Sequence, residues 1–323
     1  MSLYPGGHVD NSVRLISADT AKTLEIARAH CAPVTCLATS PDSNYLVTGS
    51  CDAVVLLWRL HKVSTSQAPN VSDSTGSSTP AGNMTANTSM ERRRHRIEGP
   101  IHVLRGHLGE ISCCCINSDL GIVVSCSNSS DVLLHSIRRG RLIRRLVGVE
   151  AHMVCLSSDG VVMAWNRDLK TLSTFTLNGI LIARTCFPTS NVGCMEVSAD
   201  GQNALVGLNP SLDYDGRFSD NDKNLKLSGA EDLGDANDGH RLGIPLPSIC
   251  FVDIYSLKVF HTMELGEGQD ITALALNKDN TNLIVSTADK QLMIFTDPAL
   301  SLKVVDHMLK LGWEGDGLSP LVK

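Results

Sequence analysis

Aromatic residues are scarce in this 323-residue chain, at 4%, and no apolar run approaches the length of a membrane span, roughly 18 residues. The start, Met1-Ser2-Leu3-Tyr4-Pro5-Gly6-Gly7, has neither the basic nor the apolar region of a secretory signal. A basic surplus is also missing: the formal charge is −6, which argues against a general nucleic-acid binder. No CxxC pair occurs among the 11 cysteines, and neighbours in Cys113-Cys114-Cys115 would point to opposite faces of a strand, the wrong geometry for one chelate. Cys36, Cys155, Cys194 and Cys250 stand where Val or Leu would serve, so they read as reduced, buried thiols. These absences point to a soluble intracellular protein, in which the glycosylation matches at Asn70, Asn83, Asn87 and Asn128 carry no meaning.

Catalytic signatures are absent as well. There is no Gly-rich phosphate cradle, no HExxH, no GxSxG and no pair of carboxylates at helical spacing. The sequence is therefore read as non-enzymatic, without cofactor or metal.

What is present is an internal repeat. His30–Leu60 lies over His107–Ile137 without a gap, so that Cys36 meets Cys113, Asp42 meets Asp119 and Ser50 meets Ser127. Residues 267–295 fit the same ruler, with Thr35 on Thr272, Asp42 on Asp279 and Asp52 on Asp289. A half copy, Gly193–Gly207, places Cys194 on Cys36, Asp200 on Asp42 and Gly207 on Gly49. Each copy alternates short apolar runs such as Val34–Ala38, Tyr45–Gly49 and Val54–Trp58 with polar turns. A fourth run follows in each unit, at Leu24–Ala27, Ile101–Leu104, Arg141–Leu146, Ile180–Phe187 and Lys258–Leu265. Four strands per unit, spaced at about 40 residues once insertions are removed, predict an all-β fold, a β-propeller of four-stranded blades.

The pattern resembles the WD40 repeat, with a His before the first strand, an Asp in the turn before the third and a Trp ending it. The best copy holds His30, Ser50, Asp52 and Trp58. The resemblance implies that these residues form a buried, structural hydrogen-bond network, with His107 and Asp289 as its remnants elsewhere. Ser129 and His135 replace the Asp and Trp of the second copy, and Glu267 and Phe295 the His and Trp of the last. Asp10 to Ile16 repeats the same step near the N-terminus, whereas Trp165 falls on a second strand and does not count.

A narrower resemblance rests on Gly7-His8-Val9-Asp10-Asn11-Ser12-Val13-Arg14-Leu15, Val34–Ala38, Leu46–Asp52 and Ile137-Arg138-Arg139-Gly140. These stretches are similar to the C-terminal WD40 region of BEACH-domain proteins, the neurobeachin and beige group. The long polar insertion and Leu311-Gly312-Trp313-Glu314-Gly315 resemble the plant, SPIRRIG-type members. The BEACH module is absent from this chain. The resemblance implies a protein-binding scaffold in vesicle trafficking and membrane dynamics, cytoplasmic or peripheral on endosomal membranes, acting with the rest of a BEACH protein.

Blade units are expected near 8–28, 30–106, 107–148, 149–186, 187–268 and 269–306, followed by a tail at 307–323. That is about five and a half blades, which reads as a truncated seven-bladed propeller with an exposed strand edge, marginally stable if expressed alone. Two insertions break the repeat. Residues 64–99 are Ser/Thr-rich and disordered by composition, ending in Glu91-Arg92-Arg93-Arg94-His95-Arg96. Arg92, Arg93, Arg94 and Arg96 are candidates for contact with RNA or phosphoinositide, although a solvated charge run is the more common meaning of such a stretch. Residues 209–247 carry eight acidic residues without calcium-loop spacing. The alternatives to a trafficking scaffold are an RNA/RNP or ubiquitin-ligase adaptor and a phosphoinositide-binding propeller.

Overall fold

Runs of β-branched and small apolar residues, punctuated by Ser, Asn, Asp and Gly, leave the chain little option but short antiparallel strands. The computed structural model describes residues 2–4, 10–17, 20, 22–63, 94–129, 131–211, 246–266, 268–277 and 279–296. All regular structure among them is β. A three-stranded sheet comes first, β1 (Ser2–Tyr4), β2 (Ser12–Ile16) and β3 (Thr23–Arg28). Four-stranded sheets follow: β4 (Val34–Thr39), β5 (Tyr45–Ser50), β6 (Val55–Val63) and β7 (Arg94–Leu104); then β8 (Ile111–Asn117), β9 (Ile122–Ser127), β10 (Asp131–Ser136) and β11 (Leu142–Glu150). The next are β12 (Met153–Leu156), β13 (Val161–Asn166), β14 (Thr171–Thr176) and β15 (Leu181–Cys186), then β16 (Ser190–Val197), β17 (Asn203–Pro210), β18 (Ser248–Asp253) and β19 (Val259–Glu264). The last sheet holds β20 (Ile271–Leu276), β21 (Asn282–Thr287) and β22 (Leu292–Thr296). Strand order within every sheet is sequential, the up-and-down order of propeller blades.

The chain divides into two compact units, residues 1–125 with 135–143 and residues 126–134 with 144–323. In the first, Val13 of β2 packs with Leu46, Leu56, Trp58 and Leu60. The opposite face of that sheet, Val47, Val55, Leu57 and Leu104, meets Ile111, Cys114, Val123 and Ile137 of the next. In the second unit, Met163, Trp165 and Leu172 pack against Met195, Val206 and Val252. Leu205, Ile249 and Phe251 pack in turn on Ile271, Leu283 and Val285. Second strands are thus covered on both faces, so β5, β9 and β13 are buried along nearly their whole length, polar residues included. Fourth strands β3 and β15 have one covered face and alternate in exposure.

Two glycines mark where one sheet presses on the next. A Cβ at Gly49 would lie 2.5 Å from Ile111 Cγ2 and 2.7 Å from Cys36 Sγ. The same position in the half copy is Gly207, whose Cβ would lie 2.9 Å from Cys194 Sγ and 3.0 Å from Ile271 Cγ2. Gly49→Ala is therefore expected to cost about 1–3 kcal/mol by overpacking. Urea denaturation of the full chain measures it, and a loss below about 0.5 kcal/mol would show that Ile111 and Cys36 can simply move aside.

The Asp ruler marks a recurrent turn. Ser40 Oγ donates to Asp42 and accepts the Tyr45 N–H at 2.9 Å; Ser198 does the same with Asp200 and, at 3.1 Å, Asn203. Asn117 and Asn277 occupy the same repeat position, and their Oδ1 atoms accept the N–H groups of Asp119 and Leu120 and of Thr281 and Asn282.

Two expected boundaries shift. The first unit begins with β1, which pairs Ser2 with Ile16, so it has three strands and starts before residue 8. The first insertion does not extend to 99: His61 pairs with Arg96 and Val63 with Arg94, because β6 and β7 continue as a ribbon beyond the sheet and supply each other's hydrogen bonds. The insertion proper, 64–93, lies outside the described residues. The second is spliced between β17 and β18, which pair from Asn203↔Asp253 to Leu208↔Ser248. Its residues 212–245, and the expected last strand and tail at 297–323, also lie outside.

Candidate functional site

The first four-stranded blade contains the most connected polar group of the described residues. Alternation along β5 turns Thr48 and Ser50 to one side, and the hairpin to β6 brings Trp58 opposite Leu46, diagonal to Thr48. Trp58 Nε1 donates to Thr48 Oγ1 at 2.9 Å, and His30 Nε2 lies 2.8 Å from the same oxygen. His30 Nδ1 lies 3.0 Å from Asp52 Oδ2. Indole N–H can only donate, so the Thr48 hydroxyl proton is free to go to His30 Nε2, which leaves Nδ1–H for the Asp52 carboxylate. The run Trp58, Thr48, His30, Asp52 thus satisfies every polar group in one direction.

Asp52 also accepts the N–H of Cys31 and of Val54, both at 3.0 Å, which ties the segment entering β4 to the β5–β6 turn at the same end of the blade. Partial burial pushes its carboxyl up, but His30 and these backbone donors outweigh burial and hold it below the usual range. Ser50 is not in this run. Its Oγ donates to the Ala32 carbonyl at 3.0 Å and accepts the Asp52 N–H at 3.2 Å, splinting the turn instead. The hydroxyl at the hub is Thr48, one step of alternation earlier. A signal for it existed: both hydroxyl partners stand 18 residues after their histidine, Thr48 after His30 and Ser125 after His107.

Elsewhere the group decays stepwise. His107 Nε2 keeps a contact of 2.8 Å with Ser125 Oγ, but Ser129 contacts only Ser127, and His135 donates to the Arg105 carbonyl at 3.0 Å. In the last sheet Val285 takes the position of Thr48, so no hub exists. Asp289 there accepts Thr287 Oγ1 and, at 3.4 Å, the Gln291 N–H. Asp10 at the first sheet accepts Ser12 Oγ at 2.6 Å and Arg28 Nη2 at 2.7 Å, and these donors hold it far below the usual carboxylate range. Asp52 with Cys31 and Val54, Ser50 with Ala32 and Asp289 with Gln291 hold turns.

Arg92 and Arg93 lie outside the described residues, and of Arg94 only the backbone, paired with Val63, is described. Arg96 is exposed on the β6–β7 ribbon. Opposed pairs Arg59↔Glu98 and His61↔Arg96 share its face, and His61 is hydrogen-bonded to Glu98, so the ribbon's charge is mixed.

One cavity, about 210 Å³, opens in the second unit beside Glu150, Asn166, Ser173, Phe175 and Arg184, whose Nε donates to Ser173 Oγ at 3.0 Å. It is smaller than the usual range for small-molecule sites, about 300–1,000 Å³. Among the described residues no cluster of three or more His, Cys, Asp or Glu could hold a metal, and no helix is long and apolar enough to cross a membrane.

Sequential four-stranded sheets, stacked face to face and pinned by a His–Thr–Trp–Asp network, define a WD-type β-propeller. The profile of the neurobeachin beta propeller domain matches residues 2–208, and the chain belongs to that family. It is 28% identical over 202 residues to BEACH domain-containing protein B of Arabidopsis thaliana, covering 61% of this chain and 7% of that protein. It is 25% identical over 214 residues to a putative neurobeachin homolog of Caenorhabditis briggsae, covering 64% and 7%. The matches therefore span a small part of these relatives' length. Among solved structures, hydrazine synthase of Kuenenia stuttgartiensis shares the fold alone, with a TM-score of 0.58 and 13% identity over 92% of this chain and 76% of that one.

Proposed function

We propose that this chain is a non-catalytic protein-interaction scaffold, the propeller part of a BEACH-type protein working in vesicle trafficking and membrane dynamics. The observation that carries this reading is the use of the buried polar groups: His30, Thr48, Asp52 and Trp58 are turned inward on one another and hold the blade. Recognition then falls to the outer strands and loops. Exposed apolar side chains there, such as Val147 and Ile180, are suited to protein partners. The proposed location is cytoplasmic, with peripheral attachment to endosomal membranes through such partners.

The test is affinity purification with cross-linking of the protein from its own cells, comparing wild type with Val147→Asp and Ile180→Asp. Loss of a defined set of cross-linked partners, with an unchanged melt and a shifted vesicle distribution, is the expected outcome. Identical partners and vesicles in both variants and in a propeller deletion would sink the reading. A second reading, contact with RNA or phosphoinositide, is favoured by the exposed, strand-held Arg96. It requires binding that weakens with salt and is lost when Arg92, Arg93, Arg94 and Arg96 become Ala. Liposome flotation separates the lipid from the RNA.

A further inference from the structure

The first unit holds two thiols in contact. Cys36 lies on β4 and Cys114 on β8, the first strands of consecutive sheets, and their sulfur atoms are 3.4 Å apart. Neither is in a disulfide. The strands are fastened beside the pair, because Thr35 Oγ1 donates to the Ile111 carbonyl at 2.6 Å. Gly49 leaves the room that Cys36 occupies, since a Cβ there would meet its sulfur at 2.7 Å. The junction is a built feature of the repeat: in the second unit Cys155 approaches Met195 in the same way, its sulfur 3.3 Å from the Met195 carbonyl oxygen. Only in the first unit are both positions cysteine.

We propose that Cys36 and Cys114 form an oxidative modification site, at which a peroxide converts the two thiols into a disulfide that locks β4 to β8. The more exposed Cys36 is the entry point, and Cys114 is buried. In the first step the Cys36 sulfur attacks the peroxide O–O bond, giving a sulfenic acid and, from hydrogen peroxide, one water. In the second the Cys114 sulfur attacks the sulfenic sulfur; the S–S bond forms, the S–O bond breaks, and the hydroxyl leaves with the Cys114 proton as a second water. Two electrons pass from the thiol pair to the peroxide, so no other reactant is needed. The hydrogen bond with Cys36, together with burial, pushes the Cys114 thiol well up, so its sulfur attacks as its proton passes to the departing hydroxyl. Closing the bond brings the sulfurs from 3.4 Å to about 2.05 Å, a movement that side-chain rotation and small strand shifts supply.

The test uses the full chain, purified reduced and exposed to hydrogen peroxide while folded, then alkylated, digested without reductant and read by mass spectrometry. A linked peptide pair containing Cys36 and Cys114 is expected, with two of the 11 thiols lost to alkylation and recovered by dithiothreitol. Cys36→Ser should abolish the link, and Cys155→Ser should leave it. Oxidised wild type should melt several degrees higher than reduced, a rise absent from Cys36→Ser, so the test stands even if Cys114→Ser does not fold. The proposal is overturned if Cys36 proceeds to sulfinic acid without linking, if it pairs with Cys51, Cys113 or Cys115, or if the link forms only in urea.

Discussion

Thr48→Val is expected to open the β5–β6 hairpin and cost about 3 kcal/mol. Two donors and acceptors converge on one oxygen, Trp58 Nε1 at 2.9 Å and His30 Nε2 at 2.8 Å, in a blade where Thr48 is fully buried. Valine keeps the shape and strand propensity, so the loss reports the hydroxyl. Each buried polar group left without a partner costs about 1–3 kcal/mol, and here there are two. Asp52 stays tied to Cys31 and Val54, so the effect should concentrate on Trp58 and His30. Amide hydrogen exchange followed by mass spectrometry is the appropriate readout, because it resolves the first unit from the second. Protection across β5 and β6 should drop by about a hundredfold, with β16–β18 unchanged. Thr48→Ser should restore most of it. A Val variant with protection equal to wild type would show that water can replace the hub.

Glu196→Gln is expected to act in the opposite direction, by an amount that grows as pH rises from about 4.5 to about 7. Glu196 lies on β16, opposite Leu205 of β17, and burial pushes its carboxyl up to about 7. Among the described residues, the strands packed against it, β12, β17 and β20, carry no acidic or basic side chain; the titratable groups nearby are the thiols of Cys155 on β12 and of Cys194 on its own strand. The Cys194 thiol is itself held up at about 12, by burial first and by Glu196 second. Folding therefore favours the protonated carboxyl. Between the ordinary glutamate value of 4.5 and about 7 the folded chain binds the extra proton, so stability falls as pH rises through that window and levels off above it. The full shift corresponds to about 3 kcal/mol, and residual solvent contact brings the expected loss nearer 2 kcal/mol. Gln cannot ionise. Its variant should match wild type at pH 4.5 and exceed it by about 2 kcal/mol at pH 8, in urea titrations at both values. Parallel pH profiles for the two proteins would refute the assignment.

The repeat made most of this architecture readable in advance, and the reasons are local. Asp42, Asp119 and Asp200 keep one distance from the strands they separate because each follows a Ser or Asn that must close the same turn. The outer strands β3 and β15 alternate because only one of their faces is covered. Where reading failed, the information lay across the sheet. Thr48 and Ser50 have equal claim by alternation, and only the diagonal to Trp58, set by hairpin register, selects Thr48. Arg94–Glu98 is charged and runs into Gly99-Pro100, the composition of a loop, yet each of its residues pairs with one of Arg59–Val63. Glu196 would ordinarily be placed in solvent; two neighbouring sheets bury it, and no property of its own strand announces that.

The splicing of the insertions has a practical corollary. Val63 faces Arg94, and Leu208 faces Ser248, so each insertion leaves and returns across a single strand spacing, about 5 Å. The free energy of tethering such neighbouring ends rises only logarithmically with the length of what joins them. Both sites are therefore natural ports for grafting: a fluorescent domain whose termini lie close together could be hosted at either one, turning the blade into its own reporter while the strand register on both sides stays as it is.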